Sequence, residues 1–160
     1  MQFHLLDRIV SCEPGKALSG FKRLTMGEEY LADHFPGFPI MPGVLQLQAL
    51  VEAASWLVRI TDDFNESLVV LREVKAVKYA SMVKPGNVLN VTVEITQRES
   101  GRTACKGKGE CDGTQTVSAQ FVVAHYNLRD RNPAFAERDE RLVRQLRSWK
   151  SLLTGELDAR

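Results

Sequence analysis

The sequence holds little of what would mark a chain for nucleic acid, a membrane or a metal. Its charges nearly cancel, 21 Lys and Arg against 20 Asp and Glu, leaving a formal charge of +1. No global field therefore draws it to a polyanion or an anionic bilayer, although a local basic patch could still dock an acidic partner. No stretch approaches the roughly 20 uninterrupted apolar residues of a membrane helix. The N-terminal MQFHLLDRIVS reaches Asp7 and Arg8 before any apolar run long enough for a signal peptide. The three cysteines, Cys12, Cys105 and Cys111, are odd in number and widely spaced, without the paired spacing of metal ligands. Reduced thiols of a cytoplasmic protein are the simplest reading. Neither a metal nor an organic cofactor is expected, and there is no internal repeat or low-complexity segment.

What is present suits one soluble globular domain: 160 residues, 44% hydrophobic and 26% charged. Residues 4–10 and 17–25 are predicted as short strands joined by the turn residues Glu13-Pro14-Gly15-Lys16. Residues 33–42 hold three prolines and a glycine, which excludes regular structure. A helix is predicted from Pro42 or Gly43 to about Ile60, with Asp62 and Asp63 marking its end. Its apolar residues fall on nearly every face, so it is expected to be wrapped by other structure.

Strand signals follow in SLVVL, in VKAVKYAS and in VLNVTVEI, where Leu89, Val91, Val93 and Ile95 alternate onto one face. TACKGKGECD is expected as a polar, edge-like strand closed by Asp112-Gly113, and TVSAQFVVAHY as the last strand. A buried helix with several hairpin-linked strands implies an α+β architecture, an antiparallel sheet curled around the helix. Beyond it, Phe135, Leu142, Val143, Leu146, Trp149, Leu152 and Leu153 fall on a helical stripe that Gly155 would stop. Arg138, Arg141, Arg144 and Arg147 around that stripe are expected to form a solvated face.

One short segment carries chemistry. His34 is a side chain suited to moving protons near neutral pH, and the loop prolines would hold it in one orientation. Just beyond it, the helix start at Gly43 offers unpaired N–H groups that stabilise developing negative charge, such as a thioester enolate oxygen. On these residues alone, a structural loop histidine is the favoured reading. His4 and His125, on strand-like stretches, are expected to be structural or exposed.

HFPGFPIMPGVL, residues 34–45, resembles the signature of the 3-hydroxyacyl-acyl-carrier-protein dehydratases of type II fatty acid synthesis, which have the hot-dog fold. LLDRIVSCEPGK looks like that family's opening strand and turn, and KYASMVKPGNVL looks like its later segment, usually written with Arg-Phe and Pro-Gly-Asp. The likeness runs from about Leu5 to Val123. It implies a hot-dog domain over residues 1–126, with residues 127–160 as a helical extension packed on it or on a partner chain. The chain starts close to Leu5, so the segment that usually precedes it in the family is expected to be largely missing.

The resemblance also implies roles. His34 would take the α-proton of an acyl thioester, and the Gly43 N–H would hold its carbonyl oxygen. The residue fourteen positions after the histidine is the acid that protonates the departing hydroxyl. Here that position is Gln48, and Glu52 follows four residues later, reversing the family's usual order of acid then amide. An amide has no proton to give up at neutral pH, so weakened activity is expected. Glu52 lies about 6 Å further along the helix and is a candidate substitute acid; otherwise it is a buried carboxylate bonded to Gln48, Ser55 or a partner chain. Phe35, Pro39, Met41 and Tyr79 would border the acyl tunnel. Lys75, Lys78, Lys84, Arg102, Lys106 and Lys108 are a candidate rim for an acidic carrier protein, with scattered surface charge as the default reading.

The resemblance therefore points to a (3R)-hydroxyacyl-thioester dehydratase of fatty acid or related lipid or polyketide biosynthesis. Its partners would be an acyl carrier protein or coenzyme A thioester and a second copy of the chain, since the family builds each site across a dimer interface. A chain without its acid could also pair with an active paralogue. A hot-dog thioesterase using Glu52, or a non-catalytic acyl-thioester-binding subunit, are the alternatives.

Overall fold

The computed structural model describes residues 4–156. In chain order its elements are β1 (Arg8–Glu13), β2 (Ala17–Arg23), α1 (Gly43–Thr61), β3 (Leu68–Tyr79), β4 (Val88–Glu99), β5 (Arg102–Cys111), β6 (Thr114–Tyr126) and α2 (Ala136–Thr154). The strands form one antiparallel sheet in the order β1-β2-β4-β5-β6-β3. The sheet wraps α1, which contacts every strand from β2 to β6. The core comprises Ala49, Leu50, Ala53, Ala54 and Leu57 of α1 against Leu18, Leu89, Val91, Val93, Val117 and Phe121 of the sheet. No helix among the described residues is long and apolar enough to cross a membrane.

The predicted hairpin turns are in place. Gly15 takes φ +79° between β1 and β2, and Asp112 and Gly113 both take positive φ between β5 and β6, the backbone that a tight two-residue hairpin requires. The first strand runs over Arg8–Glu13, not residues 4–10. Leu5 and Leu6 are instead buried anchors preceding it.

Two strand assignments are corrected. SLVVL and VKAVKYAS are not separate strands: β3 runs unbroken from Leu68 to Tyr79, with register shifts at Leu71/Glu73 and Val74/Ala76. Each shift breaks the period of two, so the alternation read as two pieces. The polar TACKGKGECD strand is not an edge. It becomes β5, hydrogen-bonded to β4 on one side and β6 on the other. Its inward positions are Thr103, Cys105, Gly107, Gly109 and Cys111, while Lys106, Lys108 and their neighbours point out. The glycines are packing requirements. A Cβ at Gly107 would meet Val93 at 3.0 Å and Leu50 at 3.3 Å, and one at Gly109 would meet Val117 at 2.8 Å and Leu89 at 2.9 Å.

The C-terminal stripe forms α2, ended by Gly155 in the left-handed conformation. Leu153 is buried in the core, and Val143, Leu146 and Trp149 pack partly against it. The buried Asp139 carboxylate ties the start of α2 to the sheet: it accepts from the Ser67 hydroxyl and from the backbone N–H groups of Leu128 and Arg129. Arg147 is more than a solvated residue, since it pairs with Asp63 at 2.9 Å and lies over the Phe64 ring.

Candidate active site

The loop that carries His34 braces itself. Phe35 and Phe38 exchange backbone hydrogen bonds, Ile40 N–H donates to the His34 carbonyl, and Met41 N–H donates to Val83. The half-buried His34 ring lies with Nδ1 3.0 Å from the Ile40 carbonyl oxygen. A carbonyl can only accept, so Nδ1 carries the proton and Nε2 is left with its lone pair, the tautomer a general base needs. Phe35 stacks on the ring with centroids 4.2 Å apart.

Pro42 precedes α1 and gives it no side-chain cap, so the N–H groups of Gly43 and Val44 have no intrahelical partners. Gly43 sits against Tyr79: a Cβ there would lie 3.1 Å from two ring carbons. The structure thus brings Tyr79, at the end of β3, onto the helix start. Tyr79 and Phe35 are exposed, Pro39 is half-buried, and Met41 is packed within the core.

Gln48 and Glu52 face a groove of about 580 Å³ between α1 and α2. On α1 this wall continues through Ser55, Trp56 and Arg59. The helix is therefore not apolar all round: Gln48, Glu52, Ser55 and Arg59 form a polar stripe at spacings of four, three and four, a signal visible in the sequence once the spacing is sought. Glu52 accepts a hydrogen bond from Leu5 N–H at 2.8 Å on Oε2, a partner outside those expected for it; Ser55 donates instead to Val51 O. Burial raises the Glu52 pKa above its ordinary 4.5, against the lowering effects of the Leu5 N–H, Trp56, Arg59 and Lys22. Burial brings Arg59 down to about 10, opposed by Glu52.

His4 is exposed, as expected. It lies outside any strand, lines this groove and sits against Trp149 with ring centroids 3.9 Å apart. Burial, then the charge of Lys22, lowers its pKa. His34 is not among the residues lining the groove. The groove therefore holds the Gln48–Glu52 pair without the loop histidine of the same chain.

The remaining candidates lie elsewhere. His125 is buried, with Nε2 3.1 Å from Thr103 Oγ1 and Nδ1 3.0 Å from a Glu66 carboxylate oxygen. The cysteines are free thiols, and burial pushes Cys105 up to about 12. The six basic residues do not form one rim. Lys78, Lys106 and Lys108 share a depression on the outer face of the sheet, Lys75 and Arg102 line another, and Lys84 lies over the Phe38 ring. Lys106 and Lys108 pair with Glu94 and Glu110.

One curled antiparallel sheet around a central helix, with a His-bearing loop at the helix start, is the hot-dog arrangement, and the family model of the FabA-like domain matches residues 1–120. The chain belongs to the FabA-like domain family. Its relatives include the 3-hydroxyacyl-acyl-carrier-protein dehydratases FabZ of Ruminiclostridium cellulolyticum and of an Anaeromyxobacter species. The first is 38% identical over 76% of this chain and 86% of its own length, the second 36% over 75% and 78%. Among solved structures, a chain of the dehydratase heterocomplex ApeI:P from Xenorhabdus doucetiae shares the fold with a TM-score of 0.67. At 14% identity the match covers 83% of this chain and 90% of that one. The matched family region ends before α2.

Proposed function

We propose that the protein is a 3-hydroxyacyl-thioester dehydratase acting on acyl-carrier-protein or coenzyme A thioesters, with each active site assembled from two copies of the chain. The hot-dog domain carries the chemistry, and the described residues 127–156 are an extension upon it. His34 Nε2 of one copy takes the α-proton, and the Gly43 N–H holds the thioester oxygen as negative charge develops there. The β-carbon–oxygen bond breaks, and a proton from Glu52 of the other copy leaves with the hydroxyl as water, giving a trans-2-enoyl thioester. Gln48, one turn earlier, hydrogen-bonds and orients the hydroxyl. Phe35 and Tyr79 border the thioester, with Pro39 and Met41 behind them.

The observation that carries this reading is the shared groove: Glu52 faces the same space as Gln48, and its burial keeps a proton on the carboxyl toward higher pH. The free edge of β3 supports the second copy. β3 pairs only with β6 among the described strands, and it exposes Val70, Leu71, Val74 and Val77 along a twelve-residue edge. An apolar, unpaired edge of that length is a template for another strand.

The test is to follow water addition to a trans-2-enoyl thioester and thiol release in the same sample, for the wild type and for His34→Ala. Hydration lost in His34→Ala, without thiol release, is expected. Thiol release as the main reaction would replace the dehydratase by a thioesterase.

A further inference from the structure

We infer that the groove between α1 and α2 receives the acyl chain of the substrate and that Trp149 sets the bulk and length it accepts. This rests on the dehydratase reading. The family match stops at residue 120, so α2 is an addition to the matched domain, and the groove exists because α2 is there.

One wall is the α1 stripe that holds Gln48 and Glu52. The other is α2, through Leu142, Leu146, Trp149 and Leu152, with Trp56 and Val69 also lining the space. A chain attached to a thioester reacting beside Glu52 would thus have an apolar surface next to its point of reaction. At about 580 Å³ the groove lies within the 300–1,000 Å³ of ordinary small-molecule sites.

The α2 stripe divides its work. Leu153 is 6% exposed and anchors the helix, whereas Leu152, next in line, is 58% exposed and borders the groove. Trp149 lies between these roles, packed partly on the core and in ring contact with His4, which also lines the groove. The wall is held by the Asp139 hydrogen bonds at one end and by the buried Leu153 at the other. A wall so fixed selects by shape, because a rigid site cannot yield to a longer chain.

The experiment compares four-carbon and ten-carbon trans-2-enoyl-coenzyme A thioesters with the wild type, Trp149→Ala and Leu152→Trp, by kcat/KM and by equilibrium binding. Removing the indole should raise the ten- to four-carbon ratio about tenfold, and the added indole should lower it by a similar factor. Leu152 is exposed, so Leu152→Trp leaves the core intact and keeps the test valid if Trp149→Ala proves unstable. Ratios and affinities unchanged in both variants would overturn the inference. A wild type that hydrates neither thioester, yet binds the longer one with an affinity that Leu152→Trp weakens, would overturn the dehydratase reading and leave the groove assignment standing.

Discussion

Glu52→Gln removes the proposed proton donor while keeping the size of the side chain. The Leu5 N–H lies 2.8 Å from Oε2, and a glutamine can turn its carbonyl oxygen to accept that bond, although its NH2 cannot accept from Trp56 as the carboxylate does. The tie between α1 and the N-terminal segment therefore survives, but the proton donor is gone. General acid assistance contributes about 10²–10⁴ in rate, roughly 3–5 kcal/mol of barrier, and that is the loss expected in kcat.

The effect on stability should depend on pH. The folded-state pKa of Glu52 is raised by burial above 4.5, so the folded protein binds this proton more tightly than the unfolded chain does. The contribution is fully present below pH 4.5 and is lost as pH rises through the folded pKa. Glu52→Gln removes that pH dependence, so the melting temperature of the variant relative to wild type should rise as pH increases from 4.5 to 8. The wild-type kcat for dehydration should also fall as pH rises through the Glu52 pKa, and the variant should lack that limb. Enoyl thioester hydration and dehydration, with thermal melts across the same pH series, measure all of this. A Glu52→Gln protein within about twofold of wild-type kcat would refute the acid assignment.

Two further outcomes test the frame around the site. Gly109→Ala places a Cβ 2.8 Å from Val117 and 2.9 Å from Leu89, deep in the sheet; overpacking there should cost about 1–3 kcal/mol in denaturant unfolding. Asp139→Asn keeps one oxygen for the Ser67 hydroxyl and the Leu128 N–H but turns an NH2 toward the Arg129 N–H, so about 1–3 kcal/mol should be lost near neutral pH. Burial tends to raise the Asp139 pKa, but the bonds from Ser67, Arg129 and Leu128 outweigh it and hold it below 3.8. That contribution is present above pH 3.8 and disappears as pH falls through the lowered value, so melts of wild type and variant should converge in acid.

Much of this protein is written in local pattern. The prolines of residues 33–42 exclude regular structure, the apolar run after Pro42 makes α1, and the alternation of Leu89, Val91 and Val93 makes β4. The α2 stripe and its stop at Gly155 are equally local, because a 3.6-residue period and a left-handed glycine need no distant partner. The loop histidine, the helix-start glycine and the exchanged Gln48 and Glu52 could be named from the same stretch of chain.

Tertiary structure alone decided the rest. β5 is interior because glycines and cysteines fill its inward positions, and a strand whose core face is made of small side chains shows no apolar alternation. β3 is a single strand because its register shifts are resolved only against β6. The groove joins His4, Glu52 and Trp149 from three distant parts of the chain. No periodicity links them, since their proximity is set by where α2 docks on the wrapped helix and not by any spacing along the sequence.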